Sequence, residues 1–251
     1  MSKFPDFIIV GAMKCGTTVM WHNMNIHPGI TMGNNWEDPK KASTEIRFWN
    51  NGDPYHTWEK GLEWYKNLFN GECCGEKCAN YIESIAAMKR ISENIPNVKI
   101  ILNVRNPVDR VYSEFNMMKK TNPAKYRLGF RRLISKDKGF IERGMYYKQI
   151  QERVVPFFSL DNFYISIQER MVADVNKELN AVYNFLGVDK IDKEVESISA
   201  KSKDVFIDNY KKWRSEYPPI SEKDREYLMG VYKEYNEKLY DFMGEILWDG
   251  Q

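Results

Sequence analysis

The first patterned segment is Phe7-Ile8-Ile9-Val10, an unbroken apolar run rich in β-branched residues and closed by Gly11. A run that is apolar on both faces predicts a strand buried between two layers, as in a parallel sheet. A turn rich in Gly and Thr follows, then apolar-periodic Val19 to Ile26, stopped by His27-Pro28: strand, tight loop, helix. Residues 29–60 carry Gly, Asn, Asp and Pro with little periodicity and are expected to run irregularly over one end of the sheet. A second strand is expected just before Lys77, and Ile85, Met88, Ile91 and Ile95 share one helical face within Ser84 to Ile95. Val98 to Val104 (VKIILNV) is the clearest strand, and Asn106-Pro107 beyond it opens a helix from Val108 to Lys119. Met145 to Phe158 reads as helix and Phe163 to Ile167 as strand. The next helix carries Val172, Val175, Leu179, Val182 and Leu186 on one stripe and stops at Gly187. Ser221-Glu222-Lys223-Asp224 is a capping box with Asp in the Glu place, opening a last helix with Leu228, Val231, Tyr235, Leu239 and Phe242 on one face. Strands alternating with helices predict an α/β chain: a P-loop-like three-layer fold, with a central mostly parallel sheet flanked by helices, in a single domain over residues 1–251.

Composition narrows this picture. A chain of 251 residues suits one α/β core. Its 37 Lys and Arg against 35 Asp and Glu leave a net charge of +2, so a basic site has to be local, and a dedicated nucleic-acid binder is excluded. No apolar run approaches the ~20 residues of a membrane span, and Phe7 to Val10 is too short for a signal-peptide core. The chain is therefore expected to be cytoplasmic, with reduced thiols. Of the four cysteines, Cys73, Cys74 and Cys78 cluster, but a vicinal pair and a four-residue step lack the paired spacing of tetrahedral zinc, and no metal is expected.

Two segments carry candidate chemistry. In Gly11-Ala12-Met13-Lys14-Cys15-Gly16-Thr17-Thr18 the glycines let consecutive N–H groups turn inward, and the helix start that follows adds partial positive charge. Cys15 and Gly16 would offer backbone N–H groups, and Lys14 with the Thr17 and Thr18 hydroxyls completes a phosphate-sized cup. The nucleotide P-loop has its lysine directly after the last glycine, whereas here that position is Thr17 and the lysine sits inside the loop, which weakens an ATP or GTP reading. The second segment, Arg105-Asn106-Pro107-Val108-Asp109-Arg110-Val111-Tyr112-Ser113, follows the strand VKIILNV. An NTPase places a Mg²⁺-holding Asp at such a strand end; Arg105 reverses the sign, and its fork with the Ser113 hydroxyl, two helical turns on, suits an anion. Together the two segments describe a nucleotide phosphorylated at both ends of its ribose.

In these segments the chain resembles the sulfotransferases that use 3′-phosphoadenosine 5′-phosphosulfate (PAPS), most closely the heparan sulfate branch. GAMKCGTT is similar to that family's 5′-phosphosulfate loop and RNPVDRVYSEF to its 3′-phosphate segment. Further matches run in the family's order: Thr44 to Trp49 (TEIRFW), Gly61 to Tyr65 (GLEWY), Glu76 to Tyr81 (EKCANY) and Arg143 to Tyr146 (RGMY). The resemblance covers roughly residues 5–190 and, more loosely, the last helix. It implies PAPS as co-substrate, 3′-phosphoadenosine 5′-phosphate (PAP) as product, and a glycan or small molecule as the acceptor, through a hydroxyl or an amine. It also implies Glu45 as the base that takes the acceptor proton, and Lys77 as a neutralising cation beside the transferring group. Other branches use a histidine. His22 and His27 belong to the first helix and its end, where packing or capping suits them, while His56 sits in the irregular region and competes with Glu45.

Some positions depart from the family. Cys78-Ala79 stand where Ser/Thr-Pro often follows the lysine, and Lys201-Ser202-Lys203 is the nearest match to the late basic loop. The cysteine pair and membrane anchor of secreted relatives are missing, which points away from a Golgi enzyme. A small-molecule kinase or NTPase, and a non-catalytic nucleotide-binding module, are the alternatives. Trp36, Trp49, Tyr55, Trp58, Trp64 and Tyr65 crowd the loop region and suit either stacking on an acceptor or packing.

Overall fold

The computed structural model describes residues 2–33, 44–52, 56–124, 126–127, 129–190 and 217–248. Trp36, Tyr55 and Lys201-Ser202-Lys203 lie outside them. The described strands β1 (Phe7–Gly11), β2 (Ile30–Met32), β3 (Cys73–Lys77), β4 (Lys99–Val104) and β5 (Phe163–Ile167) form one sheet in the order β2-β3-β1-β4-β5, every pairing parallel. Chain order reverses on either side of β1, so the carboxyl ends of β1, β3 and β4 open a crevice where a ligand can enter.

β1 is the central strand, and every one of its residues is buried. Its register with β3 puts Phe7 opposite Gly75, and a Cβ at Gly75 would lie 2.1 Å from the Phe7 ring. The glycine is what lets that ring lie across the neighbouring strand. One layer of the core packs Ile9, Met20, Met24 and Ile101 against Leu179, Val182 and Tyr183. The other holds Ile8, Val10, Ile100, Leu102 and Val104 against Met88, Ile91 and Ile150. Helices α1 (Thr17–Ile26), α2 (Gly61–Lys66), α3 (Ile85–Asn94), α4 (Pro107–Thr121), α5 (Phe130–Lys136), α6 (Gly139–Glu142), α7 (Tyr146–Arg153), α8 (Gln168–Ala173), α9 (Val175–Leu186) and α10 (Glu222–Met243) complete the described chain. None is long and apolar enough to cross a membrane among the described residues.

Several elements differ from the expectation. Residues 29–60 are not wholly irregular: Ile30–Met32 is an edge strand, and Trp58–Lys60 forms a 3₁₀ turn leading into α2. The stripe from Val172 to Leu186 is two helices. Asp174 leaves helical geometry and accepts the Lys177 N–H as the cap of α9, while Val172 stays exposed. α7 ends at Arg153, because Pro156 cannot continue the ladder. At Ile85 the periodicity also misleads, since that residue lies on the exposed side of α3. The remaining caps follow the sequence: Asn106 accepts the N–H groups of Val108 and Asp109 with Pro107 in the first turn of α4, and Ser221 accepts from Asp224 at α10.

Among the described residues, Trp49, Trp58, Trp64 and Tyr65 pack together. Trp49 and Tyr65 are fully buried, Phe48 stacks on Tyr65, and Trp58 and Trp64 cover Phe48. They surround Glu76, whose carboxylate accepts hydrogen bonds from Trp49 Nε1 (3.1 Å), Tyr65 Oη and Tyr81 Oη (3.3 Å). Burial pushes the Glu76 carboxyl up to about 7, against those three donors. The sign follows: a raised folded-state pKa contributes stability that is full below the unfolded value near 4.5 and is lost as pH rises through about 7. The thermal midpoint should therefore fall between pH 5 and 8, by the equivalent of about 1–3 kcal/mol, and Glu76→Gln should flatten that slope. Glu83, raised to about 7 mainly by its own burial, should leave a residual slope. Melting curves of both proteins across that range test this; an equal slope in Glu76→Gln would remove Glu76 as its source.

Candidate functional site

The turn between β1 and α1 takes its shape from two left-handed residues, Lys14 (φ 69°) and Gly16 (φ 81°). Gly16 caps α1 without a side-chain hydrogen bond, so the first amides of that helix are left to a ligand or water. A cavity of about 400 Å³ opens over this turn, lined by Lys14, Gly16, Thr17, Thr18, Glu45, Arg47, Asn80, Arg105, Ser113 and Gln168, with Met13 and Met117 at its wall. Residues far apart in the chain thus meet in one place.

The two predicted anion-holding ends lie in the same cavity. Arg105, nearly buried at the end of β4, donates from Nη1 to the Lys14 carbonyl at 3.5 Å. Ser113 is also buried, and its Oγ has no protein hydrogen-bond partner. Asn106 takes up the amides of Val108 and Asp109 at the start of α4, and Arg105 and Ser113 line the cavity on this side. Burial, helped by the Arg105 charge, lowers the Lys14 ammonium to about 8; its Nζ lies 3.4 Å from Met117 Sδ.

Glu45 sits beside Lys77 through a parallel bridge between their backbones. Its Oε1 is 3.2 Å from Lys77 Nζ and accepts the Ala79 N–H at 3.3 Å, while its Oε2 accepts from Arg47 at 3.0 Å. Lys77 is 2 % exposed and donates to Thr18 Oγ1 at 3.3 Å, which ties the carboxylate to the loop. Arg47 adopts φ 58°, a left-handed backbone that side chains other than glycine rarely take. Cys78, in place of Ser or Thr, is buried with its thiol donating to Asn80 Oδ1 at 2.9 Å, so the turn after Lys77 is held without the family's proline.

Of the expected site residues, Lys14, Gly16, Thr17, Thr18, Glu45, Arg105 and Ser113 line the cavity, and Lys77 stands behind Glu45 and Thr18. Cys15 does not: its side chain is buried, its thiol meets Tyr146 Oη at 3.3 Å, and its N–H is spent on the Ala12 carbonyl at 3.2 Å. Its alternation with Lys14 along a tight turn sends the thiol into the core. His22 is exposed on α1, His27 binds the Gly29 amide and the Asp189 carbonyl, and His56 is not among the cavity-lining residues. Sequence reading missed Arg47 and Gln168. Gln168 begins α8 at the carboxyl end of β5 and packs against Gly16; its Oε1 is buried without a protein partner. Its place beyond a strand of the same parallel sheet was the available signal.

A larger cavity, about 800 Å³, lies at the amino ends of the strands between Asp6, His27, Lys99 and Asp189. Its polar groups are engaged, since Lys99 Nζ caps the carbonyls of Phe185 and Leu186 and both His27 nitrogens are bonded. The expected site residues line the smaller cavity instead. Among the described residues no cluster of His, Cys, Asp and Glu could hold a metal ion, and the four cysteines are free and buried.

Residues 4–243 match the family described as Sulfotransferase domain. The mouse bifunctional heparan sulfate N-deacetylase/N-sulfotransferase 4 is 28% identical over 94% of this chain, which spans only 29% of that relative's length. The mouse heparan sulfate glucosamine 3-O-sulfotransferase 6 is 26% identical, with 98% of this chain and 74% of the relative covered. Among solved structures, the sulfotransferase from Alicyclobacillus acidocaldarius superposes with a TM-score of 0.75 at 21% identity, covering 97% of each chain. The mouse sulfotransferase SULT7A1 complexed with PAP gives 0.58 at 19% identity, over 80% of this chain and 64% of that one. These last two likenesses concern the fold.

Proposed function

The chain belongs to the sulfotransferase domain family, and from that premise we propose that it moves a sulfuryl group from PAPS to a hydroxyl or amine of a glycan or small-molecule acceptor, releasing PAP. The observation that carries this reading is the meeting, in one cavity, of a loop with uncapped helix amides and Lys14 with a second anion site built from Arg105 and the unpartnered Ser113 hydroxyl. Such a pair fits a nucleotide bearing a phosphosulfate at one end and a phosphate at the 3′ position. The heparan sulfate acceptors in the names of the curated relatives support a glycan as the first class to try.

In the proposed reaction the 5′-phosphosulfate rests on the loop amides, Lys14, Thr17 and Thr18, and the 3′-phosphate on Arg105 and Ser113. The acceptor oxygen or nitrogen attacks sulfur as the bond from sulfur to the phosphate-side oxygen breaks. Glu45 receives the acceptor proton, and Lys14 with the amides stabilises the charge that gathers on the departing oxygen. Lys77, between Glu45 and Thr18, holds the base against the loop. Metal-free charge stabilisation of this kind asks only for lysines and N–H groups arranged in advance.

Calorimetry with PAP and with adenosine 5′-phosphate tests the reading. Leaving the Arg105 fork unpaired costs about 1.5–3 kcal/mol, so PAP should bind about 10- to 100-fold more tightly than the nucleotide without its 3′-phosphate. Arg105→Ala should erase most of that preference. Equal affinity of the native protein for the two nucleotides would sink the assignment.

A further inference from the structure

Tyr146, the first residue of α7, is buried to 1 % exposure, and its hydroxyl sits between the two phosphate-binding segments. Its O–H donates to the Arg105 carbonyl at 2.8 Å. With its single proton committed there, Tyr146 Oη is an acceptor toward the Arg105 N–H at 3.4 Å and the Cys15 thiol at 3.3 Å. Burial pushes that thiol up to about 11, so it keeps its proton at neutral pH; two acceptors lie within its reach, Tyr146 Oη at 3.3 Å and the Met13 carbonyl of the same loop at 3.7 Å, and the shorter contact is the one to Tyr146. The chain Cys15 S–H, Tyr146 O–H, Arg105 C=O therefore joins the loop after β1 to the end of β4.

The residue that follows Arg105 is held as well. Glu169 accepts the Asn106 N–H at 2.9 Å on one oxygen and the Trp248 indole N–H at 3.1 Å on the other, and the Trp248 ring lies 6.1 Å from that of Tyr146. Neither Tyr146 nor Cys15 lines the cavity. Packing alone would be served as well by phenylalanine, and an apolar neighbour would leave the Cys15 thiol and the Arg105 backbone without this partner.

We infer that Tyr146 is a positioning residue, whose hydroxyl fixes the distance between the 5′-phosphosulfate loop and Arg105 and so lets one rigid nucleotide engage both. The inference rests on the functional reading above. Spacing set in this way acts on nucleotides that span both ends, while a ligand touching only the loop is indifferent to it. That difference separates positioning from plain stability.

The test measures the affinities of PAP and adenosine 5′-phosphate in the native protein, Tyr146→Phe and Cys15→Ala, with melting curves for each. Tyr146→Phe should weaken PAP about five- to tenfold, the worth of one or two hydrogen bonds, while adenosine 5′-phosphate changes less than about twofold. Cys15→Ala, which cuts the link at the loop alone, should shift the same ratio in the same direction by less, and the double variant should lose little more than Tyr146→Phe, because both changes break one chain. Lowered melting points with an unchanged ratio of the two affinities in both single variants would make Tyr146 merely structural and overturn the inference. Should the native protein itself fail to distinguish the nucleotides, the functional reading falls first. If Tyr146→Phe does not fold, the Cys15→Ala ratio decides: a shift supports the inference and no shift overturns it.

Discussion

Glu45→Gln is expected to keep the fold and PAP binding while losing roughly 10²–10⁴-fold in turnover, because an amide of the same size cannot accept the acceptor's proton. The surroundings of the carboxylate suit proton transfer, since its Oε1 faces Lys77 and the Ala79 N–H, its Oε2 faces Arg47, and it lines the cavity with Lys14. Two cations, Lys77 and Arg47, fix this carboxylate in place. The glutamine keeps one acceptor oxygen, enough for Ala79 or Arg47 but not for both, so the fold should be kept at a modest loss of stability. His56→Ala is the control. That histidine is not among the residues lining the cavity, and its loss should leave turnover within about twofold, since it touches no reacting group. Sulfation assays under saturating PAPS compare the two. An active Glu45→Gln beside a dead His56→Ala would transfer the base to the histidine.

For Lys14→Ala the expected loss in turnover is about 10²–10³-fold, larger than the loss in PAP affinity. In the proposed reaction the ammonium acts on charge that grows on the oxygen between phosphorus and sulfur, and a contact stronger in the transition state appears in kcat. pH gives a second readout. Burial beside Arg105 lowers Lys14 to about 8 in the free protein, so the group is charged below that value and loses its charge as pH rises through it. The kcat/KM for PAPS should accordingly fall above about pH 8, and the residual activity of Lys14→Ala should lack that limb. A variant with full turnover and only a raised KM would reduce Lys14 to an anchor.

How much of this was legible in the sequence depends on whether the signal was local. β1 could be read because a buried parallel strand is an unbroken apolar run, β4 and β5 because apolar and β-branched residues dominate them despite Asn103 and Ser166, and the openings of α4 and α10 because Asn106-Pro107 and Ser221 carry their caps in adjacent residues. Glycine, lysine and threonine after β1 announced an anion cup for the same reason, since the geometry of a tight turn is written in its own residues.

What the sequence by itself determined, then, is the alternation of strand and helix, the glycine-, lysine- and threonine-rich turn that follows β1, and the sign of the charge at the end of β4. Tertiary structure decided the rest. Edge strand β2 carries no period of its own and exists because β3 offers it a partner. Asp174 split a continuous stripe, because a cap can outcompete a helix interior, and Cys15 turned away from the cavity into the core beside Tyr146. Glu45 came to Lys77, and Arg105 to Lys14, over separations of 32 and 91 residues, through sheet register and through nothing in either segment alone. Periodicity records which face of a segment is apolar; which distant side chain it meets is set only when parallel strands align and their carboxyl ends share one crevice.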